Sequence, residues 1–136
     1  MISEYIYDDA LVAWACDRIP DNRFRDDARA IGHRRDGELV AVVVYDTFST
    51  TNCFIHVAAE GRRWITRDFQ IRVFAYPFIQ CGFPRVSCIV SEINRASLFL
   101  TRQFGWKQEG VCRQAAPDGS DFLLFGMLRS ECRFLT

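Results

Sequence analysis

Two histidines and a handful of acids are the side chains of this 136-residue chain best suited to moving protons. His56 stands inside the apolar run Cys53 to Ala59, which ends at Glu60. An imidazole with its ordinary pKa of about 6.5 can take a proton from an ammonium group at neutral pH. In such a run it is either a base or a partly buried, hydrogen-bonded side chain, and the sequence leaves both open. Glu60 and Glu92 close apolar runs and are the other candidate bases. Glu92 can instead be a loop acid on solvent, and Glu60 an acid that only favours the start of the helix expected after it. His33 falls in a predicted hairpin and is expected at the surface. Arg62 and Arg63 can grip an anion through charge-assisted hydrogen bonds, or simply solvate a helix start. The six cysteines are scattered without a CxxC pair or metal-ligand spacing, so no metal site is expected. None has an adjacent His–acid pattern that would make it a nucleophile. No Gly-x-Ser-x-Gly elbow and no Gly-x-Gly-x-x-Gly turn is present.

These groups need a scaffold, and the composition supplies one. Hydrophobic residues make up 49% and charged residues 25%, enough apolar surface for a core in one α/β domain spanning residues 1–136. Lys+Arg and Asp+Glu are both 17, a balance that argues against a general nucleic-acid binder. Lys107 is the sole lysine; the arginine bias fits either anion recognition or base composition. No apolar stretch approaches the roughly 20 residues of a membrane helix, and Met1 to Asp9 carries acids rather than a secretory pattern. Cys53, Cys88 and Cys112 lie in strand-like apolar runs, where a thiol acts as a small hydrophobe. A reducing cytoplasm is the expected setting.

The spacing predicts a first helix over 10–16, stopped by Pro20-Asp21-Asn22, and a polar loop to Asp27. Two strands, 28–34 and 39–46, flank Asp36-Gly37, a strong hairpin signal. The second, apolar on both faces, should be central. Cys53 to Ala59 reads as a third strand, followed by a helix from about Arg63 to Gln80 that Pro77 should kink or end. Arg85 to Val90 is a short buried strand. Asn94 caps a helix that Gly105 stops, and a hairpin over Lys107–Gln114 and Phe122–Leu128 closes the chain.

That order, with Asn94-Arg95-Ala96-Ser97-Leu98 followed by Phe104-Gly105-Trp106-Lys107-Gln108-Glu109-Gly110, resembles the GCN5-related N-acetyltransferase superfamily. The likeness covers roughly residues 28–129. It is most specific over 85–112 and weak before 28. The stretch from Trp64 through Phe78 is also similar to short acetyltransferase-like proteins encoded by tailed phages. The resemblance implies a mixed, mostly antiparallel sheet with one splayed parallel pair, flanked by helices. It implies acetyl-CoA as co-substrate, seated in the gap between those strands, with its pyrophosphate at the start of the following helix. Val57, Gly61, Arg62, Arg63, Trp64 and Thr66 would then meet the cofactor from one side, Asn94 and Ser97 from the other. Asn94 and Ser97 can also be only a helix cap and a small packing residue. A primary amine, on a small molecule or a protein, would attack the thioester directly, with His56, Glu60 or Glu92 as base and a backbone amide stabilising the oxyanion.

The chain departs from the family pattern at Trp64 and Thr66, which take places usually held by small phosphate-loop residues. It departs again at Thr101, which takes the place of the usual tyrosine acid. A threonine hydroxyl is too weak an acid to protonate a leaving thiolate. Besides the enzyme, two further readings therefore stand. One is a non-catalytic structural or assembly protein of the same fold, self-associating or placed in a phage particle. The other is a module that binds CoA without transferring acetyl.

Overall fold

The computed structural model describes residues 2–19 and 24–135. Seven strands form one sheet in the order β1-β2-β3-β4-β5-β7-β6. They are β1 (Ser3–Tyr7), β2 (Arg29–Arg35), β3 (Glu38–Asp46), β4 (Phe54–Ala59), β5 (Arg85–Ser91), β6 (Lys107–Cys112) and β7 (Phe122–Leu128). Every neighbouring pair is antiparallel except β4–β5, which is parallel. The helices are α1 (Val12–Cys16), α2 (Arg67–Ala75) and α3 (Arg95–Gln103). The architecture is the mixed α+β sheet with one parallel pair expected from the sequence.

The β2–β3 hairpin forms where Asp36-Gly37 predicts it. Both residues take positive φ, 52° and 82°, as a two-residue turn of this twist demands. β3 is third of the seven strands, and Val40 through Asp46 are all buried. From Ala41 its side chains alternate. Val43 and Tyr45 join a large core under α2 and α3, while Val42 and Val44 join a smaller one with Ala15 of α1.

Several expectations are corrected. The chain opens with an edge strand, β1, rather than a helix. The first helix is a short 3-10 turn, Asp9–Leu11, running into α1. Its predicted stop at Pro20-Asp21-Asn22 lies outside the described residues. His33 is fully buried, not at the surface. It lies on the α2 side of β2, where Tyr5 of the unexpected β1 and Phe69 of α2 cover it. α2 starts at Arg67 instead of near Arg63, because the Thr66 hydroxyl caps it by accepting the Phe69 amide at 3.2 Å. The last strand pair is shorter than expected: Gln114 has positive φ and its amide donates to Asp121. Cys112 is exposed at the end of the edge strand β6, while Cys53 and Cys88 are buried as expected.

Pro77 ends the α-helical pattern, and the chain continues as a π-helical turn, Tyr76–Gln80. A proline has no N–H to give the carbonyl four residues back. That carbonyl belongs to Val73, and the buried Tyr45 hydroxyl donates to it at 2.6 Å. The strand thus supplies the hydrogen bond that the helix loses.

Candidate active site at the splayed strands

β4 and β5 meet at one point only. Phe54 opposes Ser87, and the Ser87 amide donates to the Cys53 carbonyl at 3.0 Å. Beyond it the strands share no ladder pair. On the other edge of β4 the Glu60 amide donates to Val40. Ladder partners alternate along a strand, so beyond the apex the amides and carbonyls of Val57 and Ala59 face the opening towards β5. Val57 is 42% exposed, so apolar strand surface lines an accessible gap.

A polar chain holds the closed end. The Ser87 hydroxyl donates to Asn52 Oδ1 at 2.9 Å and accepts from Arg85 at 3.0 Å. Arg85 forks onto both Glu109 oxygens, at 2.8 and 3.4 Å. Glu109 sits at a bulge in β6, and its carboxylate lies over Gly126 of β7, where a Cβ would collide with it. The chain of contacts ties Asn52, just before β4, to β5 and β6 at the apex, beyond which β4 and β5 part.

His56 faces the opposite side of the sheet from Ile55, with Ala58 and α1. Its Nε2 lies 2.7 Å from Asp46 Oδ1, and Phe24 stands edge-on to the ring at 5.3 Å between centroids. The side chains are 21% exposed for His56 and 6% for Asp46. Asp46 Oδ2 accepts the Arg25 amide at 3.1 Å, and Thr47 donates its hydroxyl to Oδ1 at 3.3 Å. Burial alone would raise the Asp46 pKa. The bonds from His56, Arg25 and Thr47 outweigh it and hold the carboxyl below its ordinary value. Asp46 and Phe24 escaped the sequence reading. The signal for Asp46 was register: His56 opposes Val44, which makes Asp46 its diagonal neighbour on the same face.

The other named residues divide. Glu60 is paired to Arg18 at 2.8 Å. Glu92 is exposed; its amide donates to the Asp121 carbonyl at 2.9 Å, and its carboxylate accepts the Asp121 amide at 3.3 Å. Neither contacts His56. Arg63 is committed to Glu38 at 2.8 Å, and its carbonyl accepts from Arg35. The Arg62 side chain has no polar partner among the described residues. Gly61 has φ 69° in the exposed bend before α2.

Trp64 is 8% exposed and meets Phe104 edge-on, so its bulk lies in the core between α2 and the end of α3. The amides of Ile65 and Thr66 donate within the loop, to Arg62 and Trp64. What remains for an anion is the pair of first-turn amides, Arg67 and Asp68, which no helix can satisfy internally. The Asp68 carboxylate in that turn opposes an anion. Asn94 caps α3 by accepting the Ser97 amide at 3.2 Å. Thr101 is half-buried, and its carbonyl accepts from Trp106.

Burial pushes the Cys53 and Cys88 thiols up to about 12, so both are protonated and unreactive at neutral pH. Among the described residues no group of His, Cys, Asp and Glu could hold a metal ion, and no helix is long and apolar enough to cross a membrane.

No protein-family model matches the sequence, and no curated protein is detectably similar to it. Solved structures are similar in fold. A variant of the spermidine N-acetyltransferase SpeG from Vibrio cholerae superposes with a TM-score of 0.77 at 13% identity, covering 100% of this chain and 98% of that one. The Campylobacter jejuni N-acetyltransferase PseH, in complex with acetyl coenzyme A, gives 0.61 at 14% identity over 77% of this chain and 70% of that one. A probable acetyltransferase gives 0.68 at 18% identity; the match covers 78% of this chain but only 64% of that protein's length. The chain therefore has the fold of the GCN5-related N-acetyltransferases.

Proposed function

We propose that this protein is an N-acetyltransferase that takes acetyl-CoA into the gap between β4 and β5 and passes the acetyl group to a primary amine. The observation that carries the reading is the unpaired edge of β4 at Val57, next in sequence to a histidine held by a buried carboxylate. The pantetheine arm pairs with that edge as an added strand would, and the Val57 amide donates to the thioester oxygen. Arg62 and the free amides at the start of α2 receive the phosphates. The neutral amine nitrogen attacks the thioester carbon, and His56 takes the N–H proton that this nitrogen sheds as it becomes an amide. The tetrahedral oxyanion then collapses, the C–S bond breaks, and the CoA thiolate leaves without a tyrosine acid, taking its proton from solvent. Asn94 and Ser97 border the cofactor from α3. Glu60 and Glu92 serve structure instead, since each is engaged away from His56.

The likeness to a spermidine acetyltransferase makes polyamines the first amines to try. Calorimetric titration of acetyl-CoA tests the reading. Micromolar binding, about −8 kcal/mol, is expected, followed by turnover with at least one amine. No heat at millimolar acetyl-CoA would overturn it and favour an assembly role, to which Trp64 and Thr101 lend support. Binding without turnover on any amine would leave a CoA-binding module.

A further inference from the structure

Resting on the reading of His56 as the base, we infer that the basic atom is Nδ1 and that Asp46 is the positioning residue that keeps the ring proton on Nε2. Asp46 Oδ1 accepts from Thr47 and Oδ2 from the Arg25 amide, and the group is almost wholly buried. A carboxylate that collects donors in this way is ionised and is an acceptor only. His56 Nε2 stands 2.7 Å from Oδ1. With its proton on Nδ1, the ring would set a nitrogen lone pair against an anionic oxygen at that distance, which is repulsive. With the proton on Nε2, the same contact is a charge-assisted hydrogen bond. The neutral ring is thus the Nε2–H tautomer, and the lone pair able to take a proton is on Nδ1.

When Nδ1 accepts the amine proton, the ring becomes an imidazolium whose positive charge lies beside the Asp46 anion, and the Nε2–H···Oδ1 hydrogen bond strengthens while the proton stays on Nε2. Asp46 keeps its charge throughout; it takes no proton and touches no substrate. The segment after α1 contributes to the same arrangement, because Phe24 stands against the imidazole while Arg25 holds the carboxylate. Chain positions 24, 25, 46 and 56 therefore fix one ring orientation together.

The chain contains only two histidines, so the tautomer can be read directly from ring nitrogen-15 shifts in histidine-labelled full-length protein at a pH where the ring is neutral. His56→Gln assigns the signals. The expected spectrum has His56 protonated at Nε2 and bare at Nδ1. In Asp46→Asn the side-chain amide can donate to Nε2 and move the proton to Nδ1. The expected result is a swapped or mixed spectrum with kcat down roughly 100-fold or more and KM for acetyl-CoA within about twofold. Asp46→Glu should recover part of both the tautomer and kcat.

An Nδ1–H or freely mixed tautomer in the unaltered protein would overturn the inference, and that measurement needs no variant to fold. So would a swapped tautomer in Asp46→Asn with kcat unchanged. Failure of the underlying reading looks different: no amine is acetylated, yet His56 still shows the Nε2–H spectrum.

Discussion

His33 and His56 are the same side chain on opposite faces of one sheet, and their surroundings give them opposite capacities. His33 is fully buried, its ring lying 5.1 Å from that of Tyr5 and 4.7 Å from that of Phe69. Its Nε2 meets the Ser3 hydroxyl at 3.3 Å, and Nδ1 has no partner among the described residues. The charges around it are cationic: Arg35 on its own strand, and Arg72 of α2 stacked on Tyr5. Burial first, and Arg35 second, lower its pKa, so it stays neutral and works as an aromatic core residue. His56 has an anionic partner, partial exposure and a place beside the open gap. An imidazole becomes a base where a proton can reach it and a negative charge welcomes the product. Only one of the two sites provides both.

The largest effects are expected from substituting the two histidines themselves. His56→Gln is expected to lower kcat for acetyl transfer about 10²- to 10⁴-fold with little change in Tm, the cost of losing a general base. His33→Phe should do the reverse. It removes the orphaned Nδ1, keeps the ring stack and leaves kcat within about twofold of the parent. Steady-state kinetics and thermal melts of both variants decide the matter. Comparable activity losses in the two would mean that His33 takes part in the site and that the contrast drawn from burial is wrong.

The contrast also marks what the sequence could disclose. Local signals were legible. Asp36-Gly37 specifies its turn, Asn94 its cap, the apolar run of β3 its central place, and the pattern over 85–112 its resemblance. What escaped depends on which strand lies beside which. His33 reads as a hairpin residue until β1 is known to cover it, and β1 is a short edge strand whose burial is partial and whose pattern is weak. Asp46 ends an apolar run and looks like any strand-terminating acid. Only the β3–β4 register brings it to His56. Trp64 sits at a place where small residues are expected, and its inward rotamer depends on Phe104, forty residues away. Arg63 could not be told from Arg62 until Glu38 was found to hold one of them. Pairwise neighbourhoods across the sheet, rather than residue types, separate the candidates that fit a catalytic role from those that do not.

A second pair of buried polar atoms sharpens the point on a smaller scale. His33 Nδ1 is left without a partner, whereas the Val73 carbonyl, deprived of its helical donor by Pro77, receives the Tyr45 hydroxyl. Tyr45→Phe should cost about 1–3 kcal/mol, because it leaves a buried carbonyl unsatisfied. Urea unfolding would measure it. Replacing Pro77 by Ala in the same background should return part of the loss by restoring an N–H to the helix. A Tyr45→Phe variant as stable as the parent would show that this carbonyl finds another donor.

The gentlest test is pH, where the two histidine sites predict different windows. His33 has a folded pKa below its unfolded value of about 6.5, so the unfolded chain binds the proton more readily. Its contribution is fully present above pH about 6.5 and declines as pH falls from there through the lowered folded value. Asp46 behaves as a depressed carboxyl: its contribution is complete above its unfolded pKa of about 3.9 and is lost only as pH falls through its folded value. Stability measured by urea unfolding from pH 8 downward should therefore fall in two stages, the first just below neutrality and the second in acid. His33→Phe should remove the first stage and spare the second, while Asp46→Asn should flatten the acid limb. Persistence of the near-neutral decline in His33→Phe would assign it to another group and show that the core histidine is not titrating, which would leave burial without the thermodynamic consequence drawn from it.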